Sequence, residues 1–171
     1  MMTKFSDNSL ARMDAMTAAL SPAHQRDEQI LGCLQANLEL LYIKAKNYHW
    51  NVKGVGFQGV HIIFDQIQEY SSEKSDRVAE RMRYYNMTVE ATASAYLAKA
   101  LFNEGDTQRG QEGMLSDMNV SLQSVHNYII EHLNIISCPV SQNMAQDICE
   151  GLDKFNYFVK SSMYSYPTNT E

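Results

Sequence analysis

The sequence predicts an all-α protein built as a four-helix bundle, and three observations indicate this class. Apolar residues recur at helical spacing in four long segments, and no segment alternates apolar and polar residues as a strand does. The chain contains only 3 prolines and 8 glycines, few for a turn-rich β architecture. With 171 residues, 44% of them hydrophobic, it is long enough for one domain with a core and too short for two.

Clear breaks separate the four predicted helices. The first begins at Ser21, a suitable cap, with Pro22 in its first turn, and runs to about Trp50, before the glycines of "NVKGVGFQG". The second covers about 57–85, a short helix is expected at 93–102, the third covers about 111–136, and the fourth starts near Ser141. The apolar stripes of the first and fourth helices consist of Ile30, Leu34, Leu38, Leu41 and Tyr42, and of Met144, Ile148, Leu152, Phe155, Phe158 and Val159.

The order of these segments favours a ferritin-like four-helix bundle, because one long connection, carrying the short helix, joins the second and third helices. The bundle is expected to occupy residues 21–163. Residues 1–20 are expected to form a partly flexible N-terminal segment, and residues 164–171 a loose C-terminal tail.

Composition argues against several classes of protein. No apolar run reaches the length of a membrane span, and the N-terminus lacks a secretory signal, so we expect a cytoplasmic protein. An odd number of cysteines without a CxxC spacing predicts buried free thiols, at Cys33, Cys138 and Cys149. The net charge of -6, with no cluster of basic residues, predicts weak or absent DNA binding, because counterion release needs several clustered cations.

The candidate chemistry lies on the second helix, on the side away from its apolar stripe. On a helical wheel, His61, Asp65, Asp76 and Glu80 fall within about 100° of one another. His61 with Asp65, and Asp76 with Glu80, stand at i, i+4, where two side chains converge on one ion. Imidazole and carboxylate together suit iron, manganese or zinc. The alternative is an ordinary solvated acidic face.

The spacing of the two pairs indicates that one chain cannot bring them to the same ion. Their midpoints are 15 residues apart, or about 22 Å of helix. They can share an ion when a second copy of the helix packs antiparallel across a two-fold axis near Tyr70, which gives two identical sites per dimer. His49 joins this prediction because the short glycine-rich connection returns the chain beside it.

The rest of the sequence gives no further support for a metal site. No Glu-x-x-His occurs in the chain, although this motif builds the di-iron site inside an ordinary ferritin-like bundle. The three histidines without comparable acidic partners are predicted to be structural; they are His24, His126 and His132.

Three short segments carry the predicted ligands: "HWNVKG" with His49, "HIIFD" with His61 and Asp65, and "DRVAER" with Asp76 and Glu80. Their residues and spacing resemble the Dps family, the dodecameric mini-ferritins of starved or oxidatively stressed bacteria. The family pattern is a His-Trp-Asn segment, a His twelve residues on, an Asp four later and an Asp-x-x-Ala-Glu-Arg segment. Weaker similarity continues through the third and fourth helices.

The resemblance implies a ferroxidase centre made of His49, His61 and Asp65 of one subunit and Asp76 and Glu80 of its two-fold mate. It also implies that Fe(II) is oxidised to Fe(III), by hydrogen peroxide or dioxygen, and that the ferric mineral is stored in a homo-dodecamer built from two-fold dimers. The expected outcome is protection against oxidative stress.

Two further residues are candidates on the same grounds. Trp50, beside the centre, is either an electron donor when a single iron is bound or a residue that packs at the interface, and both alternatives stay open. Asp117 is a candidate for the acidic lining of a three-fold pore, with an exposed position near a helix start as the alternative.

The chain departs from many Dps proteins in lacking a lysine-rich terminal tail: its first twenty residues carry only Lys4 and Arg12 as basic residues. The alternative function is a DNA-binding, nucleoid-protecting protein with secondary ferroxidase activity, and the missing basic tail argues against it. A second alternative is a zinc-binding or manganese-binding module that uses the same ligands without turnover.

Overall fold

The computed structural model describes residues 20–163, and every regular element within this range is a helix. The helices are α1 (Pro22–Asn51), α2 (Phe57–Arg83), α3 (Ala93–Ala98), α4 (Gln111–His132) and α5 (Pro139–Met163). The predicted all-α class, with a short helix between the second and third long ones, is confirmed. Apart from Leu20, the predicted N-terminal segment and C-terminal tail lie outside the described residues.

The long helices pack as two pairs around one hydrophobic core. α1 lies along α2 and α4 along α5, and the pairs meet through contacts of α1 with α4 and of α2 with α5. The predicted stripes supply this core, although Tyr42 and Phe158 are only partly buried. No helix within residues 20–163 combines the length and apolar character needed to cross a membrane.

Local chemistry sets the helix ends, and several differ from the predicted ones. Ser21 caps α1 as predicted, since its hydroxyl accepts a 3.2 Å hydrogen bond from the backbone N–H of His24. α5 starts at Pro139 rather than Ser141, because proline has a helical φ and no N–H to satisfy in the first turn. α4 ends at His132 rather than 136, and α3 at Ala98 rather than 102.

Asn37, a fully buried residue of α1, holds the long connection after α3. Its side-chain Nδ2 donates to the carbonyl of Lys99 at 2.8 Å, and its Oδ1 accepts from the backbone N–H of Leu101, also at 2.8 Å. Further along, Asn47 Nδ2 donates to the carbonyl of Gly105 at 3.3 Å. The connection is thereby fastened along α1 toward its C-terminal end, where the candidate site lies.

Candidate metal centre

A tight turn brings the end of α1 back against the start of α2. Gly54 and Gly56 have φ values of 132° and 74°, a region that side chains with a Cβ rarely adopt, so glycine is required at both positions. The turn is tied to the start of α4, since Gln111 Nε2 donates to the carbonyl of Val55 at 2.8 Å. This geometry places the two predicted histidine ligands side by side.

His49 and His61 bind each other's backbone. His49 Nδ1 lies 3.1 Å from the carbonyl oxygen of His61, and His61 Nδ1 lies 2.8 Å from that of His49. A carbonyl only accepts hydrogen bonds, so each Nδ1 carries the proton and each Nε2 keeps its lone pair for a metal. The rings stack with centroids 3.8 Å apart and an interplanar angle of 23°. Two imidazole donors are thus fixed in one tautomer and one orientation.

Asp65 follows one helical turn after His61 and faces the same histidine pair. Its Oδ1 lies 3.7 Å from His49 Nδ1, too far for a hydrogen bond, and its side chain is 46% exposed. The His49 side chain is 17% exposed, so the carboxylate stands at the open edge of the pair. The structure therefore places three of the five predicted residues in one neighbourhood, with the carboxylate on the Nδ1 side of His49.

Asp76 and Glu80 lie farther along the same helix and are both exposed. α2 is continuous between them and the histidine pair, so Asp76 is about 16 Å beyond Asp65 along the helix axis. Within residues 20–163 of a single chain, no three His, Cys, Asp or Glu side chains converge closely enough to hold an ion. One chain supplies two separate parts of the predicted ligand set.

Trp50 is adjacent to His49 and 69% exposed, so it does not belong to the core of its own chain. Its role, as an electron donor or as a packing residue, stays a prediction.

Asp117 takes part in a buried polar cluster that the sequence did not reveal. Its carboxylate lies 2.7 Å from Lys44 Nζ and accepts a 2.5 Å hydrogen bond from the hydroxyl of Tyr48. Lys44 is only 2% exposed and also donates to Ser121 Oγ at 2.7 Å. Burial lowers the pKa of Lys44, and the hydrogen bond with Asp117 opposes that shift. The role of Asp117 at a pore stays a prediction, since a single chain contains no pore.

Two smaller expectations require correction. His126 does have an acidic partner, because its Nε2 lies 3.2 Å from Asp153 Oδ1 on the neighbouring helix. The cysteines are free as predicted, but only Cys149 is buried, whereas Cys33 and Cys138 are half-buried. Both differences arise from contacts between helices that a single-helix pattern does not contain.

Cys138, just before α5, is the one thiol within residues 20–163 whose surroundings lower its pKa. Tyr85 Oη donates to its Sγ at 3.2 Å, and Arg81 Nη2 lies 3.0 Å from it. The hydrogen bond from Tyr85, followed by those from the backbone at the start of α5, lowers the pKa of Cys138 to about 6. Burial instead raises the pKa of Cys149 to about 11.

Comparison with known proteins gives consistent results. The ferritin-like domain model matches residues 29–160. The chain is 43% identical over 54 residues to the DNA protection during starvation protein of Helicobacter pylori, and 36% identical over 63 residues to antigen TpF1 of Treponema pallidum. These segments cover 32% and 37% of this chain, and only 38% and 36% of the two relatives.

The fold has close structural counterparts. The tetragonal form of Mycobacterium smegmatis Dps superimposes with a TM-score of 0.80, covering 87% of this chain and 94% of that one. The sequence identity is 22%, so this similarity shows the shared fold alone.

Proposed function

Because the chain belongs to the ferritin-like family and is a member of its Dps group, we propose that it oxidises Fe(II) at a centre shared by two subunits. The ferric product is stored inside a dodecamer built from two-fold dimers. Iron is both substrate and cargo in this proposal, and hydrogen peroxide is the proposed oxidant, with dioxygen as the alternative. The cellular role is storage of iron together with protection against oxidative stress.

The observation that carries the proposal is the reciprocal bonding of His49 and His61. Each ring is held at Nδ1 by the other residue's carbonyl, which leaves both Nε2 atoms without a partner within residues 20–163, and the Asp65 carboxylate lies 3.7 Å from His49 Nδ1 at the edge of the pair. Two neutral imidazoles and a carboxylate form a donor set suited to Fe(II). A histidine pair in a merely structural role would not need both Nε2 atoms unengaged on an acidic face.

The missing ligands are best supplied by a second chain. Asp76 and Glu80 are exposed and lie one turn apart on α2, so they can face the histidine pair of another subunit. An antiparallel packing of two α2 helices places the partner subunit's Asp76 and Glu80 beside His49, His61 and Asp65. The two-fold symmetry then creates two equivalent centres for each dimer.

Such a centre favours oxidation of iron without release of radicals. Carboxylate oxygens are hard, negatively charged ligands and stabilise Fe(III) relative to Fe(II). Two ferrous ions deliver both electrons that peroxide needs: 2 Fe(II) + H₂O₂ + 2 H⁺ give 2 Fe(III) + 2 H₂O. The formal charge of -6 per chain attracts Fe(II) to the assembly. The same charge supports the prediction of weak or absent DNA binding.

Stopped-flow oxidation of Fe(II) by peroxide under anaerobic conditions tests the centre. Asp76→Asn and Glu80→Gln are each expected to lower the rate by at least about tenfold, because each removes an anionic ligand. Glu112→Gln is the matched control, since Glu112 is an exposed glutamate in the first turn of α4. Equal rates in Glu80→Gln, Glu112→Gln and the native protein would contradict the site. Titration with Zn(II) or Mn(II) tests the alternative that the same ligands bind one of these metals without turnover.

Mixing two inactive variants tests whether the centre is shared. Chains with His61→Ala and chains with Asp76→Asn are denatured together, refolded and assayed. In a dimer of one His61→Ala chain and one Asp76→Asn chain, one centre lacks both His61 and Asp76. The other centre keeps all five ligands. Random pairing therefore restores about a quarter of the native centres. No recovery of activity, with native-like assembly confirmed by light scattering, would place the whole centre within one chain.

A further inference from the structure

Lys46 lies between two aromatic rings on the side of α1 that carries His49. Its Nζ is 5.1 Å from the centroid of the Trp50 ring and 5.1 Å from that of Tyr42. The hydroxyl of Tyr42 accepts a 2.9 Å hydrogen bond from the same nitrogen, which fixes the position of the ammonium group. Within residues 20–163, no carboxylate lies within ion-pair distance of Lys46, so its charge acts on the rings without a neutralising partner.

A cation above an indole ring affects the ease of oxidation of that ring. The negative face of the neutral indole attracts the ammonium group of Lys46. Removal of one electron gives Trp50 a positive charge, so this attraction changes into repulsion between two like charges. Lys46 therefore makes Trp50 harder to oxidise than the same residue without a cation nearby.

We propose that Lys46 protects Trp50 from one-electron oxidation and so directs peroxide to take its electrons from iron. The relevant side reaction occurs when a single iron is bound: Fe(II) + H₂O₂ give Fe(III) + HO⁻ + HO•. The hydroxyl radical can then take one electron from Trp50, which gives a tryptophanyl radical cation and hydroxide. The reaction of a bound iron with peroxide rests on the proposed function, whereas the effect of Lys46 on the oxidation of Trp50 does not.

The test compares native protein with the two neutral variants Lys46→Met and Lys46→Gln and with Lys46→Arg, which keeps the charge and can stack on the ring. Trp50 is the only tryptophan, so every indolyl radical and every oxidised indole product originates from it. Hexachloroiridate(IV) serves as an iron-free one-electron oxidant. At about 0.15 M salt the Debye length is about 8 Å, longer than the 5.1 Å between Lys46 Nζ and the Trp50 ring, so their interaction is retained. Loss of the lysine charge weakens the attraction of this anion, so faster oxidation of the neutral variants cannot arise from that attraction.

Both neutral variants are expected to form oxidised Trp50 at least about twofold and at most about thirtyfold faster than native protein, and Lys46→Arg at about the native rate. The inference would be overturned if Trp50 in the neutral variants were oxidised no faster than in the native protein. It would also be overturned if Trp50 in Lys46→Arg were oxidised as fast as in the neutral variants.

A second measurement separates this inference from the proposed function. Each protein receives one equivalent of Fe(II) per subunit and then peroxide, and oxidised Trp50 is quantified by mass spectrometry. Greater Trp50 damage in the neutral variants is the expected result. A native protein that fails to accelerate Fe(II) oxidation would remove the proposed function, while the iron-free result would still decide the role of Lys46.

Discussion

Asp117→Ala is expected to destabilise the protein much more than Lys44→Met, although each change breaks the same ion pair. After Asp117→Ala, the Lys44 ammonium group remains 2% exposed with only Ser121 Oγ as a close acceptor. An uncompensated buried charge of this kind costs about 3–5 kcal/mol. The hydroxyl of Tyr48 also loses its carboxylate acceptor, although it still accepts from the backbone N–H of Asp106 at 3.2 Å.

The reverse change leaves a milder defect. In Lys44→Met, the methionine fills most of the space of the lysine stem, and Asp117 keeps the hydrogen bond from Tyr48. The Asp117 side chain is also 15% exposed and therefore reaches water. The expected cost is about 1–2 kcal/mol, close to that of one lost hydrogen bond to a charged group. The double variant is expected to be more stable than Asp117→Ala alone, because no charge stays buried without a partner.

The effect of pH provides an independent check on this explanation. Burial lowers the pKa of Lys44 below its ordinary value of 10.5, and loss of Asp117 removes the group that opposes this shift. A lysine with a lowered folded-state pKa destabilises the fold fully below that pKa, and progressively less as pH rises toward the unfolded value. The difference in unfolding free energy between Asp117→Ala and the native protein should therefore narrow as pH rises toward 10.5, the ordinary pKa of lysine.

Urea unfolding followed by far-UV circular dichroism measures these differences. All variants are compared at one protein concentration, since assembly contributes to apparent stability. The reasoning would be refuted if Asp117→Ala and Lys44→Met lost equal unfolding free energy. It would also be refuted if the loss in the double variant equalled the sum of the two single losses, or if the difference between Asp117→Ala and the native protein widened as pH rises.

Two further predictions concern packing and thiol chemistry. Gly151→Ala is expected to cost about 1–3 kcal/mol, because its Cβ would lie 2.1 Å from the hydroxyl of Tyr70, whereas Gly59→Ala, with no atom within 4 Å, should be neutral or slightly stabilising in the same unfolding assay. Alkylation of Cys138 by iodoacetamide, followed by peptide mass spectrometry, is expected to reach half its maximal rate near pH 6, while Cys149 stays unreactive at pH 7. A Cys138 midpoint near 9 would contradict the assigned hydrogen bonds.

The sequence predicted the fold class and the face that carries the candidate site because both depend on local periodicity. The apolar stripe predicted for α2 follows the helical repeat, and Val60, Phe64, Ile67, Val78 and Met82 are all buried. Its last predicted member, Tyr85, is only partly buried, because it follows the end of the helix at Arg83. The same repeat places His61 and Asp65 on a common face. Helix ends were less accurate, because Pro139 begins α5 two residues before the predicted cap.

Contacts between helices that are far apart in the sequence were beyond its reach, whereas the short connection after α1 allowed His49 to be placed beside α2. Lys44 and Asp117 are separated by 73 positions, and no pattern on either helix shows that they meet. Asp153 reaches His126 in the same way, from the next helix. Burial of Lys44 is unexpected for its residue type, since lysine is rarely buried without a partner, and that partner lies on another helix.

The sequence by itself determined that the protein is a helical bundle and which side chains share a face of α2, because a helix repeats every 3.6 residues whatever surrounds it. Only the tertiary structure decided that His49 and His61 hold each other's rings through Nδ1 and leave both Nε2 atoms free. That arrangement depends on how the turn at Gly54 and Gly56 folds two helices together, and the linear order of residues does not contain the distance between atoms on different helices.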